Sequence, residues 1–241
     1  MAINAQYNTV RPDSAPAKLA LYQRRKMFSA FLECSITLNC STVLDIGVTS
    51  DRSYDHSNYL ETWYPQKERI TAIGLDDAGF LKMRYPGITL IRGDGRDLPF
   101  KDRSFDIVHS SAVLEHVGSR ERQRQFLHEA WRVARKGIFV TTPNRWFPIE
   151  FHTLLPLAHW LPAPAFRGIL KGLRKGFFAR EENLNILSRR DLAQLAREVG
   201  IEQFDIRVVE LLGWPTNLLL CAKRSAAEEA IERHCSSGVQ H

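Results

Sequence analysis

Residues 43–47 read VLDIG, an apolar run that closes on an acid and a glycine. A strand buried on both faces of a parallel sheet has this composition, and open α/β sheets bind ligands at the carboxyl ends of such strands. A second run, ITAIGL at 70–75, leads into two acids. A third, FDIVHS at 105–110, follows the segment GDGRDLPF at 93–100. Together the three runs predict a sheet that binds a nucleoside at one edge.

Strand-like and helix-like segments alternate along the chain. Strands are predicted near 42–47, 70–75, 88–91, 105–110, 137–142, 203–209 and 217–223, and helices near 17–34, 52–61, 77–84, 119–135 and 188–200. Such alternation indicates a parallel sheet with helices on both faces. The connection at 213–217 is too short for a parallel crossover, so the last strand is predicted to be reversed.

The domain organisation follows from length and from one break in the pattern. The 241 residues suit a single α/β domain, predicted over 41–224. Prolines and aromatic residues interrupt the alternation at about 143–187, which is predicted to be an insertion. An N-terminal arm and helix (1–40) and a C-terminal tail (225–241) complete the chain.

Net charge and cysteine content limit the kinds of protein that this chain can be. The net charge of +6 and pI of about 9.3 favour anionic partners, although an ordinary basic enzyme has the same balance. The cysteines show neither a CxxC pair nor a zinc-type spacing, so no metal site is predicted. Without a secretory signal or a membrane span, the chain is predicted to be cytoplasmic with reduced thiols.

The segment DGRDLPFKDRSFD at 94–106 carries a family resemblance. It resembles the motif D-x-x-x-LPF-x-D-x-SFD of class I S-adenosylmethionine-dependent methyltransferases of the small-molecule branch. The resemblance covers roughly residues 40–222. It implies a Rossmann-like, seven-stranded, mostly parallel sheet whose last strand is reversed. It also implies S-adenosyl-L-methionine as methyl donor and S-adenosyl-L-homocysteine as product.

The resemblance places the cofactor contacts at strand ends. The residues concerned are Asp45, Gly47, Asp51, Asp76, Asp77, Asp94, Gly95, Ser110 and Ser111. A carboxylate after the second strand accepts hydrogen bonds from ribose hydroxyls, with Asp76 preferred to Asp77. We expect Asp94 to accept a hydrogen bond from the adenine amino group. We expect Ser110 and Ser111 to lie at the opening through which the methyl group reaches its acceptor. Any one of these acids, taken alone, equally suits a turn.

The loop after the first strand departs from the family pattern. It reads GVTSD at 47–51, where the family has alternating glycines. A hydroxyl of this loop can bind the cofactor carboxylate, and Asp51 can cap the next helix. Asp51 can also repel that carboxylate.

Two histidines and one turn are the candidates for acceptor chemistry. His116, in LEHV at 114–117, is the first candidate for a general base, and His152 is the second. The segment TPN at 142–144 resembles quinone-type O-methyltransferases and adds Asn144, Arg145 and Glu150 as substrate candidates. Each histidine can instead simply pack, and the turn can be purely structural.

Methyl transfer to a small-molecule or glycan- or lipid-linked acceptor is the predicted function, with oxygen favoured over nitrogen. An RNA or protein methyltransferase and a non-catalytic scaffold are the alternatives. The apolar segment 154–161 beside the basic helix 164–176 suggests a substrate lid, a peripheral membrane contact or plain packing. Nucleic acid is disfavoured, since no binding module accompanies the domain. A nicotinamide enzyme is disfavoured by the missing G-x-G-x-x-G.

Overall fold

The computed structural model describes residues 14–52, 54 and 56–225. The predicted tail from 226 onward, Cys235 and the first thirteen residues of the predicted arm lie outside this part of the chain. The division of the chain into an arm, a domain and a tail remains a prediction.

Seven strands form one mixed sheet. They are β1 (Val43–Ile46), β2 (Ile70–Gly74), β3 (Thr89–Arg92), β4 (Phe105–Ser111), β5 (Ala134–Pro143), β6 (Phe204–Leu211) and β7 (Trp214–Lys223). The order across the sheet is β3-β2-β1-β4-β5-β7-β6. β7 pairs antiparallel with both β5 and β6, and the strand pairs from β3 to β5 are parallel. The predicted fold class is therefore confirmed, including the reversed last strand.

Helices cover both faces of this sheet. They are α1 (Ala15–Thr37), α2 (Tyr59–Trp63), α3 (Phe80–Arg84), α4 (Arg120–Val133), α5 (Ala163–Gly172) and α6 (Arg189–Glu198). On one face, Phe126 of α4 and Leu195 of α6 pack in the same apolar cluster as Val108. On the other, Phe31 of α1 packs with Phe139 of β5 in a second cluster. These two apolar layers pack on the faces of the sheet and so fix the position of the strand ends that carry the site.

The helix predicted over 52–61 is wrong in its first half. α2 begins only at Tyr59, so Asp51 does not cap it. Asn58 explains the difference, because its side chain accepts from the Thr49 amide and donates to the Thr49 carbonyl, each at 2.9 Å. Asp51 instead accepts a hydrogen bond from Ser57 Oγ at 2.7 Å. These contacts close a polar loop where the sequence suggested helix.

The insertion has a small apolar cluster of its own and docks beside the site. The cluster joins α5 to the segment that follows it, through Phe166, Leu170, Phe178, Ala179 and Leu184. Asn185 then donates its backbone amide to the carbonyl of Glu115 at 2.8 Å. This contact fixes the end of the insertion against the turn after β4. Among the described helices, none combines the length and apolar character needed to cross a membrane.

Candidate active site

A cavity of about 350 Å³ opens at the carboxyl ends of β1, β2 and β4. This volume lies within the range of small-molecule sites. Six of the predicted site residues line it, namely Gly47, Asp94, Gly95, Ser111, His116 and His152. The parallel strands therefore bring the strand ends that the sequence predicts to be functional to one edge of the sheet.

Two glycines keep this edge of the sheet bare. Gly47 follows β1 with a φ of +110°, and a Cβ there would lie 2.1 Å from Cγ2 of Val113. A Cβ on Gly95 would lie 2.6 Å from side-chain atoms of Ile46 and Phe126. A side chain at Gly47 would require Val113 to move, and one at Gly95 would require Ile46 and Phe126 to move.

Asp94 presents a carboxylate to the cavity and is held by a neighbour. Arg96 binds it with both guanidinium and backbone, with Nε lying 3.0 Å from Oδ1. Burial raises the pKa of Asp94, but the hydrogen bonds from Arg96 outweigh burial and leave the pKa below its ordinary value. The group is thus an anionic acceptor suited to an exocyclic amine.

Asp76, predicted to bind ribose, lies beneath the cavity wall. It is buried, and its Oδ2 accepts from Ser50 Oγ at 2.8 Å and from the Ser50 amide at 3.2 Å. The neighbouring Leu75 lines the cavity instead. Asp77 is exposed, and its Oδ1 accepts from the amide of Gly79 at 3.0 Å. A ribose contact from Asp76 therefore requires exchange of the loop hydrogen bonds for ligand hydroxyls.

Asp45 belongs to a buried polar group under the same edge. Its Oδ1 contacts Nδ1 of His109, and Nε2 of that histidine lies 2.8 Å from the Tyr59 hydroxyl. Burial raises the pKa of Asp45 to about 7 and lowers that of His109 to about 4. Burial, followed by the charge of Asp45, holds the pKa of Glu61 well above its ordinary value. The group lies outside the cavity lining.

The remaining predicted residues divide between the cavity wall and the framework behind it. Ser111 lines the cavity, while Ser110 is buried and donates to the Ile46 carbonyl at 2.9 Å. Asn144 donates to the Pro215 carbonyl, and Arg145 to the Leu161 carbonyl. These two residues brace the turn after β5, and their role as substrate contacts remains a prediction.

His116 and His152 lie next to each other in the wall of the cavity. Their Nε2 atoms lie 3.0 Å apart. Nδ1 of His116 lies 2.7 Å from the Asn183 carbonyl oxygen, and Nδ1 of His152 lies 2.7 Å from Glu150 Oε1. Both neighbours are acceptors, which assigns a hydrogen to each Nδ1. The two Nε2 atoms are thus directed toward one another.

Two buried acids flank this histidine pair. Burial raises the pKa of Glu150, but hydrogen bonds, that from His152 above all, overcome this and lower the pKa to about 2. Burial lowers the pKa of His152, and Glu150 reverses this to a net rise. Burial, and then the charge of His152, lowers the pKa of His116 to about 3. Burial raises the pKa of Glu115 to about 7.

Several cavity residues were missed from the sequence. Arg24 of α1, Arg122 and Glu182 line the cavity and are not among the predicted site residues. Helical periodicity gives the faces of α1 but not which face meets the sheet edge. Glu182 reaches the site only through the fold of the insertion.

Known proteins resemble this chain in sequence and in fold. A family model described as a methyltransferase domain matches residues 44–141. A demethylmenaquinone methyltransferase of Roseiflexus sp. (strain RS-1) is 29% identical over 187 residues, which is 72% of this chain and 73% of that protein. Residues 44–141 thus form a methyltransferase domain, and these findings support a class I S-adenosylmethionine-dependent methyltransferase.

Two further relatives extend the comparison of this methyltransferase. A probable phthiotriol/phenolphthiotriol dimycocerosates methyltransferase of Mycobacterium ulcerans is 41% identical over 71 residues, which is 28% of this chain and 26% of that protein. The crystal structure of magnesium protoporphyrin IX methyltransferase from Synechocystis, with bound SAH, has a TM-score of 0.55 at 13% identity, covering 91% of each chain. The structural likeness shows a shared fold.

Proposed function

We propose that this methyltransferase transfers a methyl group to a hydroxyl oxygen of a small, largely apolar or lipid-linked acceptor. The observation that carries the proposal is the histidine pair, which borders the same cavity as Asp94 and the bare glycines. A hydroxyl acceptor must lose a proton, and an imidazole nitrogen is the side-chain group suited to accept one near neutral pH. The names of the Roseiflexus and Mycobacterium relatives support an acceptor of this chemical class.

The residues of the cavity fit the cofactor in position and in chemistry. Asp94 supplies an anionic acceptor, and Gly47 and Gly95 leave the backbone accessible. S-adenosylmethionine, when bound, supplies a methyl carbon on a sulfonium, which is already activated for in-line displacement. The protein therefore has to align the acceptor oxygen and remove its proton.

Both histidines take part in removing the proton of the acceptor hydroxyl in this proposal. Nε2 of His152 takes the proton of the acceptor hydroxyl, since Glu150 raises the pKa of this imidazole, and Nε2 of His116, 3.0 Å away, shares it. Glu150 stabilises the resulting charge through its 2.7 Å contact with Nδ1 of His152. The acceptor oxygen forms its bond to the methyl carbon as the carbon–sulfur bond breaks, and the electron pair of that bond passes to sulfur.

A fractionated transfer assay tests the proposal. The purified chain is incubated with radiolabelled S-adenosylmethionine and, separately, with phenols and quinols, small amines, a lipid extract, total RNA and protein. We expect label in the phenol, quinol or lipid fractions, with the methyl group on oxygen by NMR. Label confined to RNA, protein or amines contradicts the acceptor class, and methylation on carbon contradicts the oxygen assignment. Cofactor binding without any transfer supports the scaffold alternative.

A further inference from the structure

Three atoms of the kinds that ligate metals converge on one side of the cavity. Glu115, His116 and His152 offer one such atom each, and these atoms all lie within 4.8 Å of one another. The two nitrogens lie 3.0 Å apart, and Glu115 Oε1 lies 3.7 Å from His116 Nε2. Both histidines line the cavity, so the convergence point is open to a small ligand.

The arrangement of the two Nε2 atoms is electrostatically unfavourable on its own. Each Nδ1 donates its hydrogen to a fixed acceptor, the Asn183 carbonyl for His116 and the Glu150 carboxylate for His152. In a neutral imidazole the other nitrogen then carries a lone pair. Two lone pairs 3.0 Å apart repel unless a proton or a metal cation lies between them. The pair therefore favours the binding of a proton or a metal cation between the two nitrogens.

Glu115 distinguishes a metal cation from a proton. Its Oε2 accepts from Thr142 Oγ1 at 2.9 Å, while its Oε1 is buried and has no hydrogen-bond partner among the residues that the structure describes. A buried carboxylate oxygen without a partner is costly. A proton shared by the histidines leaves this oxygen unsatisfied, whereas a metal ion contacts all three atoms.

The spacing and the outer contacts fit a metal site. Ligands about 2.0–2.1 Å from a tetrahedral ion lie roughly 3.3–3.4 Å from one another. The observed separations of 3.0 and 3.7 Å lie on either side of this value, and the third separation is within 4.8 Å. Metal-binding histidines characteristically donate their other N–H to a carboxylate or a carbonyl, as His152 and His116 do here.

We propose that Glu115, His116 and His152 bind one divalent transition-metal ion, of the Zn²⁺ or Co²⁺ kind, at the acceptor end of the cavity. Two imidazoles and one carboxylate favour such ions over Mg²⁺ and Ca²⁺, which prefer oxygen ligands. Three protein ligands leave a position directed to the cavity. This site revises the prediction, drawn from cysteine spacing alone, that the chain has no metal site.

The consequence for the reaction rests on the proposed function, although binding of the ion does not. A hydroxyl on the open position is a stronger acid, because the ion stabilises the oxyanion. The ion then replaces the proton shared by the histidines, and the proton of the acceptor leaves to water. The histidines hold the ion in this state and do not take the proton.

Cobalt provides a direct spectroscopic test. Untagged full-length chain is dialysed against a chelator and titrated with Co²⁺, followed by visible absorption, and then with Zn²⁺ as competitor and Mg²⁺ as a hard-cation control. The variants are His116→Asn, His152→Asn and Glu115→Gln. His128→Asn serves as the matched control, since the His128 side chain is 54% exposed on α4 and lies outside the cluster. Circular dichroism and S-adenosylhomocysteine titration show which variants are folded.

We expect one Co²⁺ per chain with ligand-field bands that Zn²⁺ abolishes. Affinity should fall at least tenfold in each cluster variant that remains folded and should be unchanged in His128→Asn. Absence of Co²⁺ and Zn²⁺ binding in the wild type overturns the proposal, as does binding that survives both histidine substitutions. If the cobalt site forms while S-adenosylhomocysteine does not bind, the proposed function fails and the metal site stands.

Discussion

Asp94 is the residue on which cofactor affinity should depend most directly. Asp94→Asn keeps the shape of the side chain and removes the charge that the Arg96 contact holds at the cavity. A hydrogen bond to a charged group contributes about 1.5–3 kcal/mol, so S-adenosylhomocysteine should bind roughly ten- to a hundredfold more weakly. Calorimetric titration measures the change. Asp205→Asn is the matched control, because the Asp205 side chain is 64% exposed and does not line the cavity, and equal losses in both variants count against the Asp94 contact.

Gly47 offers a second test at a single residue. Gly47→Ala adds a Cβ that would meet Val113 at 2.1 Å, at a φ of +110°. Conformational strain costs about 1–2 kcal/mol, and overpacking adds a further ~1–3 kcal/mol. Gly213→Ala has a φ of +80° with no atom within 4 Å, so it should show the strain alone. Urea unfolding of both variants gives the difference, and a Gly47→Ala loss no larger than that of Gly213→Ala contradicts the close packing.

Sequence reasoning reached the site residues unevenly, for physical reasons. Gly47, Asp94 and Gly95 follow strands, and parallel strands bring their ends to one edge, so their convergence was predictable. The direction of a side chain within a loop was not. Asp76 points to Ser50 because the loop supplies an amide and a hydroxyl at hydrogen-bonding distance. The spacing of residues along the sequence does not show which of the possible hydrogen-bond partners such a carboxylate will choose.

Helix α1 is an element of the domain core although it precedes the region of family resemblance. Phe31 is fully buried and packs edge-on against Phe139 and His109. Phe31→Ala should lower the free energy of unfolding by about 3–5 kcal/mol. Ile36→Ala, on the same helix but 76% exposed, should change it by less than about 0.5 kcal/mol. Chemical denaturation distinguishes the two, and a small effect of Phe31→Ala contradicts a structural role for α1.

The elements themselves were largely predictable, since strands read as apolar runs and α6 carries a capping box at Ser188 and Asp191. The short α2 was not predictable, because its start depends on the contacts between Asn58 and Thr49. The insertion was recognised only by its composition. Its path over the cavity depends on tertiary contacts such as that of Asn185 with Glu115.

Acid stability of the whole molecule should depend on Asp106. This buried carboxylate accepts from the Ser41 amide at 2.7 Å and pairs with Arg135 at 2.8 Å. Burial raises the pKa of Asp106, but these partners outweigh burial and leave the pKa lowered. Such a group stabilises the fold above its unfolded pKa of about 3.9, and the stabilisation is lost as pH falls through the folded pKa.

Asp106→Asn should therefore lower the free energy of unfolding at neutral pH, with the deficit shrinking as pH falls below about 4. Urea unfolding of wild type and variant across acid pH measures this trend. Asp205→Asn, at a side chain that is 64% exposed, provides the comparison and should track the wild type. A deficit that is independent of pH would assign the role of Asp106 to packing alone.

Protein synthesis delivers β7 after every other strand of the described chain, yet β7 pairs on both sides. Until it leaves the ribosome, β5 presents an open hydrogen-bonding edge of apolar residues, and β6 has no neighbour to join. Open edges of this kind pair with other chains. Chains terminated before residue 214 should consequently aggregate, and light scattering of truncated and whole chains would measure this.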